Sequence, residues 1–245
     1  GAVIPVTPVP LAAAALLSFG TSVIPRARVL DRMDDLRDRL AFTIDPEDAR
    51  DHDDALTVGR SGEGRWEGGI HIADVSHYVP AGSALDHEAE LRGTSVYLPG
   101  GVVPMLPERL SADLCSLRPD CDRLVLSVLV DLDVHGGLHG VRFEEAVIRS
   151  RHRLHYGDVQ EALEGRVILP PELQEALETV MGLARVLRAR RRKVGALDLE
   201  VPEVKVWVDE QGRPLRIERR AHLESHELIE EFMLLANRCV GGEGA

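Results

Sequence analysis

Short segments in which apolar and polar residues alternate recur along the chain, a pattern typical of β-strands that bury one face. They predict five strands in the first two thirds of the sequence, at 42–44, 55–58, 66–75, 124–134 and 141–155. The last two flank an HGGLHG turn, so we expect them to pair as a hairpin. A further pair is predicted at 201–208 and 214–219, around a turn at Glu210–Gly212.

Four helices are predicted as well, at residues 28–40, at 84–92, from Pro170–Pro171 to about 193, and at 223–239. Proline is well tolerated in the first turn of a helix, which favours this start for the third one. The last helix places four apolar residues on one side: Leu228, Phe232, Leu235 and Cys239. The proline-rich stretch 93–122 is expected to be ordered but irregular.

The mixture of strand pairs and helices predicts an α+β fold with a mixed, mainly antiparallel sheet and packed helices. No internal repeat is present, so we assign residues 41–245 to one domain. Residues 1–40 contain four prolines in an apolar run and then the predicted helix. We interpret them as a linker, or the remnant of a preceding domain, plus that helix.

Composition narrows the class of protein. The chain has 245 residues, 44% hydrophobic and 29% charged, which excludes global disorder and allows a sizeable core. Its three cysteines lack CxxC spacing, which argues against a disulfide scaffold or a zinc ribbon and favours a reducing compartment. The apolar segment 11–19 is far shorter than the ~20 residues of a membrane span. We therefore predict a cytoplasmic protein without a membrane segment.

The charge balance bears on possible ligands. Acidic residues outnumber basic ones by 41 to 29, and the formal net charge is −12. A protein that coats nucleic acid non-specifically would be basic. Any nucleic-acid ligand must therefore be held by local cationic patches, or through bound metal ions that reverse the local field.

One acidic segment carries most of the candidate chemistry. Six carboxylates fall within ten residues between two predicted strands: Asp45, Glu47, Asp48, Asp51, Asp53 and Asp54. Crowded carboxylates raise one another's pKa, and oxygen ligands suit Mg²⁺ or Mn²⁺, so a divalent-metal site is one interpretation. A solvated acidic turn is the other. The flanking apolar segments and the scarcity of glycine and serine favour the metal site.

This segment, TIDPEDARDHDDA at 43–55, resembles the first signature of the ribonuclease II/ribonuclease R (RNB) family of exoribonucleases. A second match is RGTSVYLPG at 92–100, followed by VPMLPERLSADLCSL at 103–117. A third is HELIEEFMLLAN at 226–237. Three long signatures in the family's order are far more specific than any short motif, and together they cover roughly residues 41–240.

The resemblance implies an RNB-type catalytic domain that releases nucleoside 5′-monophosphates from the 3′ end of single-stranded RNA with Mg²⁺ or Mn²⁺. Four aspartates match the family's catalytic and metal-binding positions, of which we expect Asp53 to matter most for the chemical step: Asp45, Asp51, Asp53 and Asp54. Tyr97 matches a tyrosine that packs on the RNA end. Tyr156 and Glu230 match further RNA-binding positions, and we expect Glu231 to be a structural partner.

Two departures from the family pattern bear on activity. Leu199 stands where the family commonly has an aromatic residue, which implies one-sided stacking on RNA. An arginine-rich signature of the HFTSPIRRY type and an RNA-binding barrel are not found in the sequence. We therefore expect a piece of a longer enzyme, with the activity of this chain alone left open. A catalytically impaired RNA-binding or regulatory module is the alternative function, and endonucleolytic or DNA cleavage is a remote third.

Two weaker patterns also have competing interpretations. The arginines and lysine at 185–193 could contact phosphate, but a solvated helix C-terminus is favoured. His71, Asp74 and His77 have a spacing that could suit a metal, although a core strand with its exit turn is favoured.

Overall fold

Nine strands and four α-helices make up most of the regular structure of the described residues. The computed structural model describes residues 36–98, 101–196, 204–209, 211–219 and 221–242. Its strands are β1 Ala41–Asp45, β2 Asp54–Arg60, β3 Trp66–Ala73, β4 Val96–Leu98, β5 Gly101–Val103, β6 Asp122–Leu132, β7 Leu138–His155, β8 Val204–Val208 and β9 Pro214–Arg219.

Five of these strands close into a barrel in the order β1-β2-β3-β6-β7. Neighbours along this order pair antiparallel, from Phe42 opposite Leu56 onward. The barrel closes because β7 also pairs with β1, in parallel, with Asp45 opposite His155. Closure gives every strand of the barrel a partner on both sides, which removes the free sheet edges.

Successive residues of a strand point to opposite faces, and the inner face of the barrel combines polar side chains with small and apolar ones. His71 is fully buried inside it, 2.9 Å from the Thr57 hydroxyl and 2.8 Å from the Ser127 hydroxyl. Burial lowers the pKa of His71 to about 3, so the imidazole is neutral. The neighbouring Gly69 leaves room for this network, because a Cβ there would lie 2.3 Å from the Thr57 hydroxyl.

Apolar side chains cover the outer face of the barrel, where three of the four helices pack. The helices are α1 Ala84–Arg92, α2 Tyr156–Leu163, α3 Pro171–Lys193 and α4 Glu224–Val240. Phe42 and Ile70 on the outer face form one core with Leu177 of α3 and Phe232 of α4. This core fixes α2 and α4 against the strands that carry the acidic segment.

The α+β fold with a mixed, mainly antiparallel sheet is confirmed. Two elements were not predicted: helix α2, and the β4–β5 hairpin within the stretch expected to be irregular. The predicted helix 28–40 lies mostly outside the described residues, as do 201–203 of the predicted strand 201–208. The assignment of 1–40 and 41–245 to separate units stays a prediction.

The described helices differ from membrane-spanning segments in length or in apolar character. None of them combines the length and the apolar character needed to cross a bilayer. The cytoplasmic location stays a prediction.

Candidate active site

The acidic segment forms the loop that joins β1 to β2 at one end of the barrel. Asp45 is the last residue of β1 and Asp54 is the first residue of β2, so strand pairing holds both close together. Asp51 and Asp53 lie in the loop between them. His155 ends β7 opposite Asp45, and α2 begins immediately afterwards, so Tyr156 starts at this same end of the barrel.

Side chains and backbone from three other segments anchor this loop. The buried Ser116 hydroxyl donates to the carbonyl of Arg50 at 2.9 Å and accepts from the N–H of His52 at 3.1 Å. These two hydrogen bonds hold the backbone on both sides of Asp51. The Arg153 guanidinium donates to two loop carbonyls, at 3.0 and 3.2 Å. The N–H of Ala73 donates to the carbonyl of Asp53. The aspartates are therefore held on an ordered loop.

Two of the four aspartates, Asp45 and Asp54, are almost completely buried. Asp45 and Asp54 are each 6% exposed, and the Oδ2 atom of each makes no hydrogen bond with the described residues. The Nδ1 atom of the buried His52 lies 2.8 Å from the Asp45 Oδ2 atom, although its angles are not those of a hydrogen bond. Buried polar atoms without partners are uncommon, and here they face a concentration of negative charge.

The electrostatics of the cluster follow from this crowding. Burial, followed by the charges of Asp51 and Asp45, raises the pKa of Asp53 to about 7. Burial, followed by Asp45 and Asp53, raises the pKa of Asp54 well above its ordinary value. Full ionisation at neutral pH is therefore unfavourable unless positive charge is supplied.

Tyr97 reaches the cluster from the β4–β5 hairpin. Its hydroxyl donates a 2.6 Å hydrogen bond to the Asp51 carboxylate, and its ring is largely exposed. Partial burial, this hydrogen bond and the nearby carboxylates raise the pKa of the Tyr97 phenol, so it keeps its proton. The residue expected at the RNA end thus contacts one of the four aspartates.

Tyr156 and Glu230 belong to a second group, where α2 meets α4. The Tyr156 ring stacks on His226 with ring centroids 4.0 Å apart, and His226 in turn stacks on His222 at 5.5 Å. Glu230 lies one turn further along α4, 3.9 Å from the His222 ring nitrogen. Partial burial and the charges of the neighbouring glutamates raise the pKa of Glu230, whereas His222 acts to lower it.

The structure therefore brings the four aspartates and Tyr97 together, and places Tyr156 beside the helix that carries Glu230. Within the described ranges, no three histidine, cysteine, aspartate or glutamate side chains are already arranged around a common point as a formed metal site. The roles predicted for the seven site residues stay predictions. Leu199 lies outside the described residues.

Several residues of the site were missed by sequence reasoning. His52 occupies a variable position of the first signature, and only its burial against Asp45 makes it part of the site. Ser116 lies within the second signature, so its presence in the quoted match could have been taken as a signal. His155, whose buried Nδ1 atom makes no hydrogen bond with the described residues, is preceded by no motif that would identify it.

Part of the arginine cluster of α3 is engaged in ion pairs with α4. Three of its members pair with glutamates of α4: Arg185 with Glu224 at 2.6 Å, Arg188 with Glu227, and Arg191 with Glu231 at 2.5 Å. Glu231 is buried in this ladder, which confirms the expectation that it is a structural partner. These pairs give three of the six basic residues at 185–193 a structural role, and the choice between phosphate contact and a solvated helix end stays a prediction for the others.

The structural interpretation of the other weak pattern is also confirmed. His71 is enclosed in the barrel, and Asp74 accepts hydrogen bonds from Ser76 and from the N–H of His77 in a tight turn.

Cys115 is buried, and burial raises the pKa of its thiol to about 11, which leaves it unreactive at neutral pH.

Comparison with known proteins identifies the relatives of this chain. The family model described as "RNB domain" matches residues 33–243. Ribonuclease R of Thermotoga maritima is 46% identical over 209 residues, which cover 84% of this chain and 29% of that protein. Ribonuclease R of Mycoplasmopsis pulmonis is 41% identical over 206 residues, covering 84% of this chain and 28% of that protein. The chain thus spans under a third of the length of these relatives.

A solved structure agrees with the sequence relatives. RNase R of Mycoplasma genitalium, in complex with ribose-methylated single-stranded RNA, has a TM-score of 0.79 to this chain at 30% identity. The similarity covers 95% of this chain and 39% of that one. Signatures, fold and relatives therefore agree, and the chain belongs to the RNB domain family.

Proposed function

We propose that the protein containing this chain is a 3′-to-5′ exoribonuclease, which hydrolyses single-stranded RNA to nucleoside 5′-monophosphates at the acidic end of the barrel. The observation that carries this proposal is the crowding of four aspartates at one end of the barrel, where the buried Oδ2 atoms of Asp45 and Asp54 make no hydrogen bond with the described residues. Family membership supports ribonuclease chemistry there. Hydrogen bonds from three other segments hold the backbone of this loop, so the four aspartates stay together at the end of the barrel.

The aspartate loop fits Mg²⁺ or Mn²⁺. The Oδ2 atoms of Asp45 and Asp54 make no hydrogen bond with the described residues, and the pKa of Asp53 is raised. Both features are expected of a carboxylate cluster whose balancing positive charge comes from a bound ion. Asp45, Asp51, Asp53 and Asp54 would hold the ions. Since no formed site exists among the described side chains, these carboxylates would have to reorient to share an ion. Bound divalent ions supply an activated water and stabilise the leaving oxygen in phosphodiester hydrolysis.

The remaining residues of the site position the RNA. The largely exposed Tyr97 ring can stack on a terminal base, an interaction worth about 1–3 kcal/mol that tolerates any sequence. The partly exposed Glu230 carboxylate can accept a hydrogen bond from a ribose hydroxyl. The His226 ring fixes the Tyr156 ring beside it, so this group presents a rigid surface to the sugar.

A second function, a non-catalytic RNA-binding module, is favoured by one observation. The described donor side chains do not already surround a common point, and Asp51 is engaged by Tyr97. Such a module would bind RNA through the same surfaces without hydrolysing it.

An assay of the full-length protein with labelled single-stranded RNA separates the two functions. With Mg²⁺ or Mn²⁺ we expect nucleoside 5′-monophosphates from the first time points, and with a chelator we expect none. RNA binding without degradation in either metal would instead establish the non-catalytic module. Products of intermediate length would indicate endonucleolytic cleavage, and equal degradation of a 2′-deoxy strand would contradict RNA specificity.

A further inference from the structure

The β8–β9 hairpin lies outside the barrel and presents a charged face with one tryptophan. Lys205 pairs with Glu218 and Trp207 pairs with Arg216 across the two strands, so all four side chains share this face. Trp207 is 42% exposed, in a chain that has only two tryptophans. Among the described residues, this indole packs into neither hydrophobic core, so the stability of the fold does not explain it.

The indole is nevertheless held in a defined orientation. Its ring N–H donates a 3.0 Å hydrogen bond to the Glu218 carboxylate. The Lys205 ammonium lies 4.5 Å from the ring centroid, and the Arg216 guanidinium lies 5.5 Å from it. An oriented aromatic ring flanked by cations is the arrangement that binds single-stranded nucleic acid, since a base stacks on the ring while the cations meet phosphates.

The local charge of the hairpin differs from that of the chain. Residues 204–219 contain four basic and three acidic residues, whereas the whole chain carries a net charge of −12. Arg216 and Lys205 border the exposed indole, and each also pairs with a carboxylate, Glu218 at 3.0 Å and Asp48 at 3.3 Å, which a phosphate would replace. The hairpin therefore supplies local cations of the kind that an acidic protein needs to hold RNA.

The charged face is also continuous with the candidate active site. The Lys205 ammonium lies 3.3 Å from the Asp48 carboxylate of the loop that carries the four aspartates. A strand whose end lies at those aspartates can therefore extend across Lys205 onto Trp207. A protein partner would be expected to cover the apolar side chains on the hairpin's other face, Val206 and Ile217, rather than the charged one.

We propose that this face of the β8–β9 hairpin is an RNA-binding subsite, on which Trp207 stacks a nucleotide upstream of the terminal one while Lys205 and Arg216 contact its phosphates. The proposal rests on the function proposed above, because it takes single-stranded RNA as the ligand. It assigns to Trp207 a role in holding the strand between rounds of cleavage, without a role in the chemical step.

The test is the affinity of the full-length protein for single-stranded oligoadenylate, measured in chelator so that no hydrolysis occurs. We expect Trp207→Ala to raise the Kd about five- to tenfold, and Trp207→Phe to keep most of the affinity because it retains a ring. Ile217→Ala is the matched control, since Ile217 is an exposed apolar residue on the opposite face of the same hairpin. A Kd for Trp207→Ala within about twofold of wild type, or an equal loss for Ile217→Ala, would overturn the subsite.

A fluorescent base locates the contact and excludes an indirect effect. We place 2-aminopurine at successive positions of the oligonucleotide and expect quenching at one internal position in the wild type, relieved in Trp207→Ala. A quenching profile that is the same in both proteins would overturn the stacking contact. If the wild-type protein neither binds nor degrades RNA, the proposed function fails. If it does both while the Trp207 variants behave as wild type, only the subsite fails.

Discussion

Replacing Asp53 by asparagine should lower the rate of monophosphate release by roughly 10²–10³-fold or more, while RNA binding survives. The substitution keeps the shape of the side chain but removes its charge from the centre of the cluster, where Asp51 and Asp45 already act on it. Divalent ions would then lack one of their ligands. Affinity for RNA should stay close to wild type, or improve slightly, because a negative charge near the phosphates is lost. Initial rates and Kd values on the full-length protein measure both quantities.

Glu47→Gln is the matched control for this variant. Glu47 lies in the same loop, and this substitution also removes one carboxylate charge. The Glu47 side chain is exposed, and it is not one of the four proposed metal ligands. We expect its rate to stay within about threefold of wild type. Equal losses in the two variants would mean that the total charge of the loop matters and that Asp53 has no special role. Undiminished degradation by Asp53→Asn would contradict the assignment.

The second large effect concerns pH and stability in the absence of divalent ions. The pKa of Asp53 in the folded chain is about 7, against an ordinary value of 3.8. The folded state therefore binds a proton more tightly than the unfolded state does between these values, so the free energy of unfolding falls as pH rises through that range. Asp54 contributes in the same direction. We expect a loss on the order of 2 kcal/mol.

Calorimetry of the full-length protein in chelator measures this loss as a shift of the thermal midpoint of the RNB domain. A drop of about 4–8 °C is expected between about pH 5 and pH 8. Excess Mg²⁺ should restore most of the midpoint at the higher pH, and Asp53→Asn should flatten the pH dependence. A midpoint that is independent of pH in chelator would show that the carboxylates are already compensated within the protein.

The alternation of apolar and polar residues was sufficient to locate the five barrel strands and the β8–β9 hairpin, but it missed β4 and β5 and did not reveal how the barrel strands assemble. The hairpin of β6 and β7 follows from local pattern and from the glycines between them. The parallel pairing of β1 with β7 joins segments about a hundred residues apart, and nothing in either segment specifies that register. Closure of the barrel therefore could not be predicted from periodicity.

The candidate site shows the same division between local and distant information. The aspartates cluster because they are neighbours in sequence, so their proximity was predictable. The contact of Tyr97 with Asp51 depends on how the β4–β5 hairpin packs, which the sequence pattern does not specify. The arginines of α3 find their partners on α4 because glutamates recur there at helical spacing, a match that becomes visible only once the two helices are known to pack together.

The central claim is that the aspartate loop binds divalent cations at the end of the barrel. Crystals of the full-length protein soaked in Mn²⁺ test it directly through anomalous diffraction, because the signal locates the metal independently of the protein model. We predict anomalous density in contact with at least three of the four aspartates, namely Asp45, Asp51, Asp53 and Asp54. Crystals in which Mn²⁺ occupies other sites, while these carboxylates keep their present contacts, would contradict the claim.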